Sequence, residues 1–270
     1  MFKELKNEFK LNFKLKVDSP LCIQSGEDSI DPTLPDMQCI RSYKGGKNVV
    51  FIPGSSLKGV IRSRCEKIFN IIAGEQKCCN ITEGNKAQCN KESGNDGKEV
   101  YDKLCPACKM FGSMALGGRF KFKDAYPENG EFKTGYRNSI SVNRITGATS
   151  KGAKYDFEVV EDGTFDVTIT GENFELYQLK VLLWAMQDIN DGYVTFGSAG
   201  TRGNGKMLVE DMELNIRDFR QTRPTRLTGY NNECGAPLEY IEKNYYFEAK
   251  IVGKDNILNS IDGVSMPSKL

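Results

Sequence analysis

Residues 8–17, EFKLNFKLKV, alternate without interruption: Phe9, Leu11, Phe13, Leu15 and Val17 fall on one side, charged or polar residues on the other. A two-residue period marks a strand with one buried and one wet face, and such a strand needs a layer to cover its apolar side. Two helical patterns supply that layer. The first follows Pro53, takes Ser55 or Ser56 as its cap and runs to about Ile72, with Leu57, Val60, Ile61, Ile68, Phe69 and Ile72 on one face. The second covers 174–190, with Leu176, Leu179, Leu183 and Met186 inward. Strand patterns occur at 48–52, 119–124, 154–160, 164–170 and 193–196, and again through Leu208, Met212, Leu214 and Ile216. Glu161-Asp162-Gly163, between two of them, is a hairpin signal. The order strand, helix, strands, helix, strand predicts an α+β fold with a ferredoxin-like (RRM-like) core over residues 1–216. Within it, 73–112 read as an insertion; 217–270 are a less regular C-terminal extension with no assigned role, able to wrap a neighbour.

Charge and composition narrow the chemistry. The chain has 270 residues, with 37 Lys and Arg against 36 Asp and Glu, for a net charge of +1. That balance excludes a uniformly basic nucleic-acid binder but not a local basic groove. Lys58, Arg62 and Arg64 form one basic cluster, and Arg217, Arg220, Arg223 and Arg226 another. There is no histidine, so a Ser-His-Asp triad, a histidine base and a histidine metal ligand are all excluded. The nine cysteines are an odd number, and the first residues lack the apolar stretch of a secretory signal, which predicts a reducing cytoplasm rather than a disulfide scaffold. No apolar run is long enough to span a membrane, so no membrane partner is expected.

Four stretches carry chemistry. In FIPGSSLKGVIRSR a tight turn opens a helix whose free backbone N–H groups, two serines, Lys58 and Arg62 form an anion site suited to a phosphodiester; the competing reading is an ordinary capped helix. In GSAGTRGNGK, Gly200, Gly203, Gly205 and Lys206 match the P-loop spacing. Met207 stands where a P-loop needs Ser or Thr, and a strand follows instead of a helix, so the stretch reads as a flexible basic loop able to approach a polyanion. Five cysteines fall within 78–108, where Cys105-Pro-Ala-Cys108 forms a knuckle. Cys79 (or the adjacent Cys78), Cys89, Cys105 and Cys108 give four thiolates for a structural zinc in a segment with almost no core of its own, against free thiols or a redox pair. Cys22, Cys39, Cys65 and Cys234 are expected to be unliganded. Last, Glu27, Asp28, Asp31 and Asp36 lie in one loop near Arg41, which suits either metal placement at a phosphodiester or a solvated loop.

IPGSSLKGVIRSR (52–64), CPACKMFGS (105–113), NRITGAT (143–149) with YDFEVVEDGTF (155–165), and FGSAGTRGNGK (196–206), in that order, resemble the RAMP superfamily of CRISPR proteins, and within it the backbone subunit repeated along type III effector filaments. The resemblance runs from about residue 8 to 216. It implies that Gly54, Ser55, Ser56, Lys58 and Arg62, with Arg41, contact RNA backbone, and that Gly200, Arg202, Gly203, Gly205 and Lys206 help form the RNA-facing surface beside that turn. It implies a thumb hairpin over 135–157, Arg144 included, that kinks the guide–target duplex, and a zinc-binding role for the cysteine insertion. In target-cleaving members an aspartate followed after four residues by arginine cuts RNA with Mg or Mn through attack of the ribose 2′-hydroxyl. Asp36 with Arg41 fits, and Asp31 is the backup. The implied partners are CRISPR guide RNA, complementary target RNA, other effector subunits and further copies of the chain, in a prokaryotic cytoplasm. A non-catalytic scaffold paralogue is the alternative, and a zinc-stabilised interaction protein unrelated to RNA a third reading.

Overall fold

The computed structural model describes residues 4–24, 35–80, 83, 87–231 and 234–267, with 150–154 by backbone alone. The alternating N-terminal segment is β1 (Asn7–Val17), the middle of a seven-stranded sheet in which every pairing is antiparallel. On one side it pairs with β7 (Met207–Asp218), which is followed outward by β11 (Phe247–Val252) and β10 (Ile241–Glu242). On the other it pairs with β6 (Thr149–Glu172), which carries both β4 (Phe120–Phe122) and β5 (Tyr126–Val142). Phe9, Leu11, Phe13, Leu15 and Val17 are all buried, and Phe9 sits edge-on to Phe120 and Phe174 at 5.0 and 5.1 Å. The covering helices α1 (Gly54–Ala73) and α4 (Leu176–Asn190) pack against each other.

The boundaries differ from the sequence expectation where the chain makes long-range bonds. α1 is capped by neither serine. Pro53 is its N-cap residue, Gly54 its first residue, and the Gly54 N–H donates to Asp124 Oδ1 at 2.7 Å. The carboxylate arrives from a loop seventy residues on and takes the place of a local cap. Glu161-Asp162-Gly163 is not a turn. β6 runs straight through it, and the irregularity falls on β5, where Asn129 and Gly130 take positive φ between the pairs Pro127–Phe165 and Phe132–Gly163. Residues 193–196 form no strand. β2 (Arg41–Lys44) and β3 (Lys47–Val50) form a hairpin turning at Gly45-Gly46, whose first strand the pattern does not predict.

Residues beyond 217 continue the same sheet rather than standing apart. β11 pairs with β7 along Asp218–Phe247 to Glu213–Val252, and β8 (Arg226–Thr228) and β9 (Cys234–Pro237) form a small hairpin. A last helix, α5 (Lys254–Ile261), packs on β7, β9 and α4. Lys180 of α4, nearly buried, donates to the carbonyls of Asp262 and Val264 at 2.9 and 2.8 Å. A cation there satisfies carbonyls that the end of α5 leaves open. Among the described residues no helix is long and apolar enough to cross a membrane.

Candidate nucleic-acid interface and metal centre

The β5–β6 hairpin projects beyond the sheet. Its outer part is wet on both faces, with Tyr136, Ile140, Val142 and Ile145 exposed and Ile145 at 96% the most open. Asn143 shapes the tip by accepting the N–H groups of Ile145 and Thr146 at 2.8 and 3.2 Å, which leaves Arg144 in the turn, exposed.

At the root of this hairpin three separate segments meet. The loop with Asp36 lies along β6: Met37 N donates to Asp156 O at 3.3 Å, Glu158 N to Met37 O at 2.9 Å, and Asp156 N to Asp36 Oδ2 at 3.1 Å. Asp36 is exposed, while Asp156 Oδ1 is buried without a hydrogen-bond partner among the described residues. Arg41 does not point freely at solvent. Both its terminal nitrogens donate to the Glu158 carboxylate, one at 2.8 Å, and Cys39 N donates to the same carboxylate at 3.0 Å. Burial alone would raise the Glu158 carboxyl, but Arg41 and the Cys39 N–H outweigh it and hold it below the ordinary value. Burial and the Glu158 charge push the Cys39 thiol up to about 12, so it stays neutral. Asp31 lies outside the described residues.

The glycine-rich loop closes the opposite flank. Arg202 donates to the Tyr155 hydroxyl, one residue before Asp156, and that bond draws the tyrosine below its ordinary value. Arg137 on β5 donates to Oδ1 of the buried Asn204 at 3.0 Å. The segment from the end of β1 to Gln24 stitches the parts together. Gly205 N donates to Pro20 O and Ser198 N to Cys22 O, while Leu21 and Val160 exchange backbone bonds and Ile40 N donates to Ile23 O. Lys206 pairs with Asp18 at 2.8 Å. Gly200 and Gly203 lie in or beside a single 3₁₀ turn in the same loop.

The other basic turn has a different neighbourhood. Ser55 and Ser56 are exposed at the start of α1. Lys58 is half-buried in a cleft it lines with Arg62, Asn90, Ser113 and Met114, and burial with Arg62 beside it draws it below the ordinary lysine value. Lys58 thus faces the 111–118 loop and Lys206 pairs with Asp18, while Gly59, Ser63 and Arg64 of α1 share a cleft with Tyr193 and Thr195 at the entry to the glycine-rich loop. Arg62 is the clearest departure from expectation. It is buried, and it donates to Glu66 Oε1 at 2.8 Å, Gly112 O at 2.8 Å and Cys108 Sγ at 3.2 Å. It bridges α1 to the cysteine segment, so its donors are engaged within the protein while one edge lines the Lys58 cleft.

That segment contains α2 (Gly97–Lys103) and α3 (Pro106–Phe111). The Sγ atoms of Cys79, Cys89, Cys105 and Cys108 lie within 4.8 Å of one another, with Cys79 3.5 Å from Cys108 and 3.8 Å from Cys105. Four thiolates at about 2.3 Å from one zinc stand about 3.8 Å apart, so the spacing fits. Cys108 N donates to Cys105 Sγ and Cys105 N to Cys89 Sγ. Hydrogen bonds with Cys108 and Cys78 draw the Cys105 thiol below its ordinary value and raise those two partners in turn. Cys78 itself is buried in the main core and is not in the cluster.

A sequence profile of the RAMP superfamily matches residues 14–208. The chain belongs to the RAMP superfamily. Over 185 residues this RAMP protein is 28% identical to the CRISPR system Cms endoribonuclease Csm3 of Methanocaldococcus jannaschii, a match covering 61% of the chain and 64% of that relative. It is 23% identical over 182 residues to the protein of the same name from Streptococcus thermophilus, covering 62% of the chain and 71% of the relative. The stretch that defines the chain as a RAMP protein holds the Asp36 loop, α1, the cysteine cluster, the hairpin and the glycine-rich loop. It ends before β8–β11 and α5.

Sequence reasoning missed Tyr155, Asp156 and Glu158 as site residues. The signal was present: in Phe157-Glu158-Val159-Val160 the alternation breaks, which marks a strand buried on both faces with an acid inside it.

Proposed function

We propose that this RAMP protein is a guide-RNA-binding backbone subunit of a type III CRISPR effector complex and cleaves complementary target RNA with a divalent cation. The observation that carries the reading is the root of the β5–β6 hairpin, where the Asp36 loop and the glycine-rich loop meet consecutive residues of one strand. Both relatives are CRISPR endoribonucleases by name, which supports it. The strand order β7-β1-β6-β4, with α1 joining β1 toward β4 and α4 joining β6 to β7, supports a ferredoxin-like core. The hairpin is the thumb, and exposed Ile145 at its tip is an apolar wedge of the kind that unstacks a base step. Gly54, Ser55, Ser56, Lys58, Arg144, Arg202 and Lys206 serve the RNA backbone, and pairing with the guide supplies sequence recognition.

For the cation, Asp36 and Asp156 are the residues that would hold Mg²⁺ or Mn²⁺. Asp36 is held by the backbone N–H of Asp156, and Asp156 Oδ1 is buried without a hydrogen-bond partner among the described residues; two such carboxylates on one stretch of strand and loop fit a hard cation that shares its shell with phosphate oxygens. Such a cation supplies charge neutralisation at the scissile phosphate. The protein's own part is to hold the loop and splay the target so that a ribose hydroxyl lies in line. The four-cysteine cluster holds a structural zinc that orders 73–112.

The test is a complex reconstituted with guide RNA and neighbouring subunits. Asp36→Ala is expected to abolish target cleavage and leave target binding intact. Retained cleavage in both Asp36→Ala and Asp31→Ala would overturn the active-site assignment, and absence of a defined small RNA from the intact complex would overturn the RNA-binding reading.

A further inference from the structure

We propose that Glu158 is the positioning residue for cleavage: acting through Arg41 and the Cys39 amide, it fixes the Asp36 loop to the thumb strand. The proposal rests on the reading of Asp36 as the cleaving carboxylate. Glu158 sits on β6 among Phe157, Val159 and Val160, and only 5% of its side chain reaches solvent. A carboxylate in such a place is unfavourable unless donors surround it. Three of those donors come from one short segment, two guanidinium nitrogens of Arg41 and the backbone N–H of Cys39, and the Thr134 side chain of β5 adds another. The backbone of Glu158 adds a bond to Met37 O, and the residue two before it, Asp156, donates to Asp36 itself. Positions 36, 37, 39 and 41 are therefore each tied to residues 156–158.

The geometry argues for alignment more than for bulk stability. A bidentate arginine–carboxylate pair fixes orientation as well as distance. Buried ion pairs return little net folding free energy once desolvation is counted. What this pair does is make the loop and the hairpin one body, so that an element seated in the RNA duplex sets where the Asp36 carboxylate stands. It also gives Arg41 a role within the Asp36-x-x-x-x-Arg41 spacing that needs no contact with RNA.

The experiment compares wild type, Glu158→Gln, Arg41→Lys, the double variant and Asp36→Ala in the guide-loaded complex. The readouts are single-turnover cleavage at saturating target, target affinity, and amide hydrogen exchange across 36–41. Glu158→Gln keeps shape and removes charge. It and Arg41→Lys are each expected to slow cleavage by about 10- to 100-fold, since small misplacements of reacting groups cost that much. Target affinity stays unchanged, exchange rises in 36–41, and the double variant is no slower than the worse single one, because both break the same link. Cleavage by Glu158→Gln at the wild-type rate, with Asp36→Ala inactive, would overturn the proposal and leave the Asp36 reading standing. So would parallel loss of target binding, which marks a merely structural role. Cleavage by Asp36→Ala at the wild-type rate would remove the Asp36 reading itself and this proposal with it.

Discussion

Gly203 and Gly205 stand two residues apart in one basic loop, both with positive φ, 84° and 82°. A Cβ on Gly203 would meet nothing within 4 Å, whereas one on Gly205 would lie 2.0 Å from Phe196 O. Gly203→Ala should therefore cost about 1–2 kcal/mol from the left-handed backbone alone. Gly205→Ala must also push aside the Phe196 backbone, to which Gly205 is hydrogen-bonded, so denaturant unfolding should show the larger loss for Gly205. Lys58 and Arg62 separate in the same way. Lys58→Met is expected to lower the slope of log affinity against log salt for RNA by about 1, as loss of one phosphate contact does. Arg62→Met should leave that slope unchanged and speed metal release to a chelator, because its guanidinium faces Cys108. Equal slopes for the two variants would reverse that assignment. Glu158 also sets a pH dependence. Its carboxyl is held below the ordinary 4.5 in the fold, so its contribution is present above 4.5 and lost as pH falls through the lower folded value. Wild-type unfolding should steepen below about pH 4.5 relative to Glu158→Gln, measured by acid titration of the melting temperature.

At the scale of elements, α2 and α3 have 7 and 6 residues, too short to persist alone. α3 is held by Ala107, Met110 and Phe111 in the main core, and α2 by Tyr101, whose hydroxyl donates to Glu175 Oε1 at 2.8 Å; the cysteine cluster ties the two to the preceding loop. Cys105→Ser and Cys108→Ser should each lower metal content from about one equivalent per chain and lower the melting temperature. Unchanged values in both would leave free thiols as the reading. The hairpin is the opposite case, ordered at its root by the body and bare at its tip. Ile145→Ser should weaken target cleavage while guide RNA stays bound, and the assay is cleavage-product mapping on a guide-loaded complex.

Across the whole molecule, the extension past residue 217 finishes the sheet and covers it with α5. Lys180→Met strips two carbonyls of their charged donor and should cost about 1–3 kcal/mol without changing RNA affinity. The strands β1 and β7, the extents of α1 and α4 and the cysteine set were legible because each depends on neighbours a few residues away: a period of 2, a period of 3.6, a knuckle spacing. The serine caps and the Asp162-Gly163 turn failed because partners from far along the chain, Asp124 and β5, outcompeted the local signal.

By itself the sequence determined β1, β7, the two long helices and the kinds of atoms available: thiolates without imidazoles, and a carboxylate near a basic turn. Only the tertiary structure decided which of them meet. The bond from Asp156 to Asp36 spans 120 residues and Arg41 reaches Glu158 across 117. Contacts made by sheet pairing at that separation leave no periodic trace in the chain, so the site becomes visible only when the strands are laid side by side.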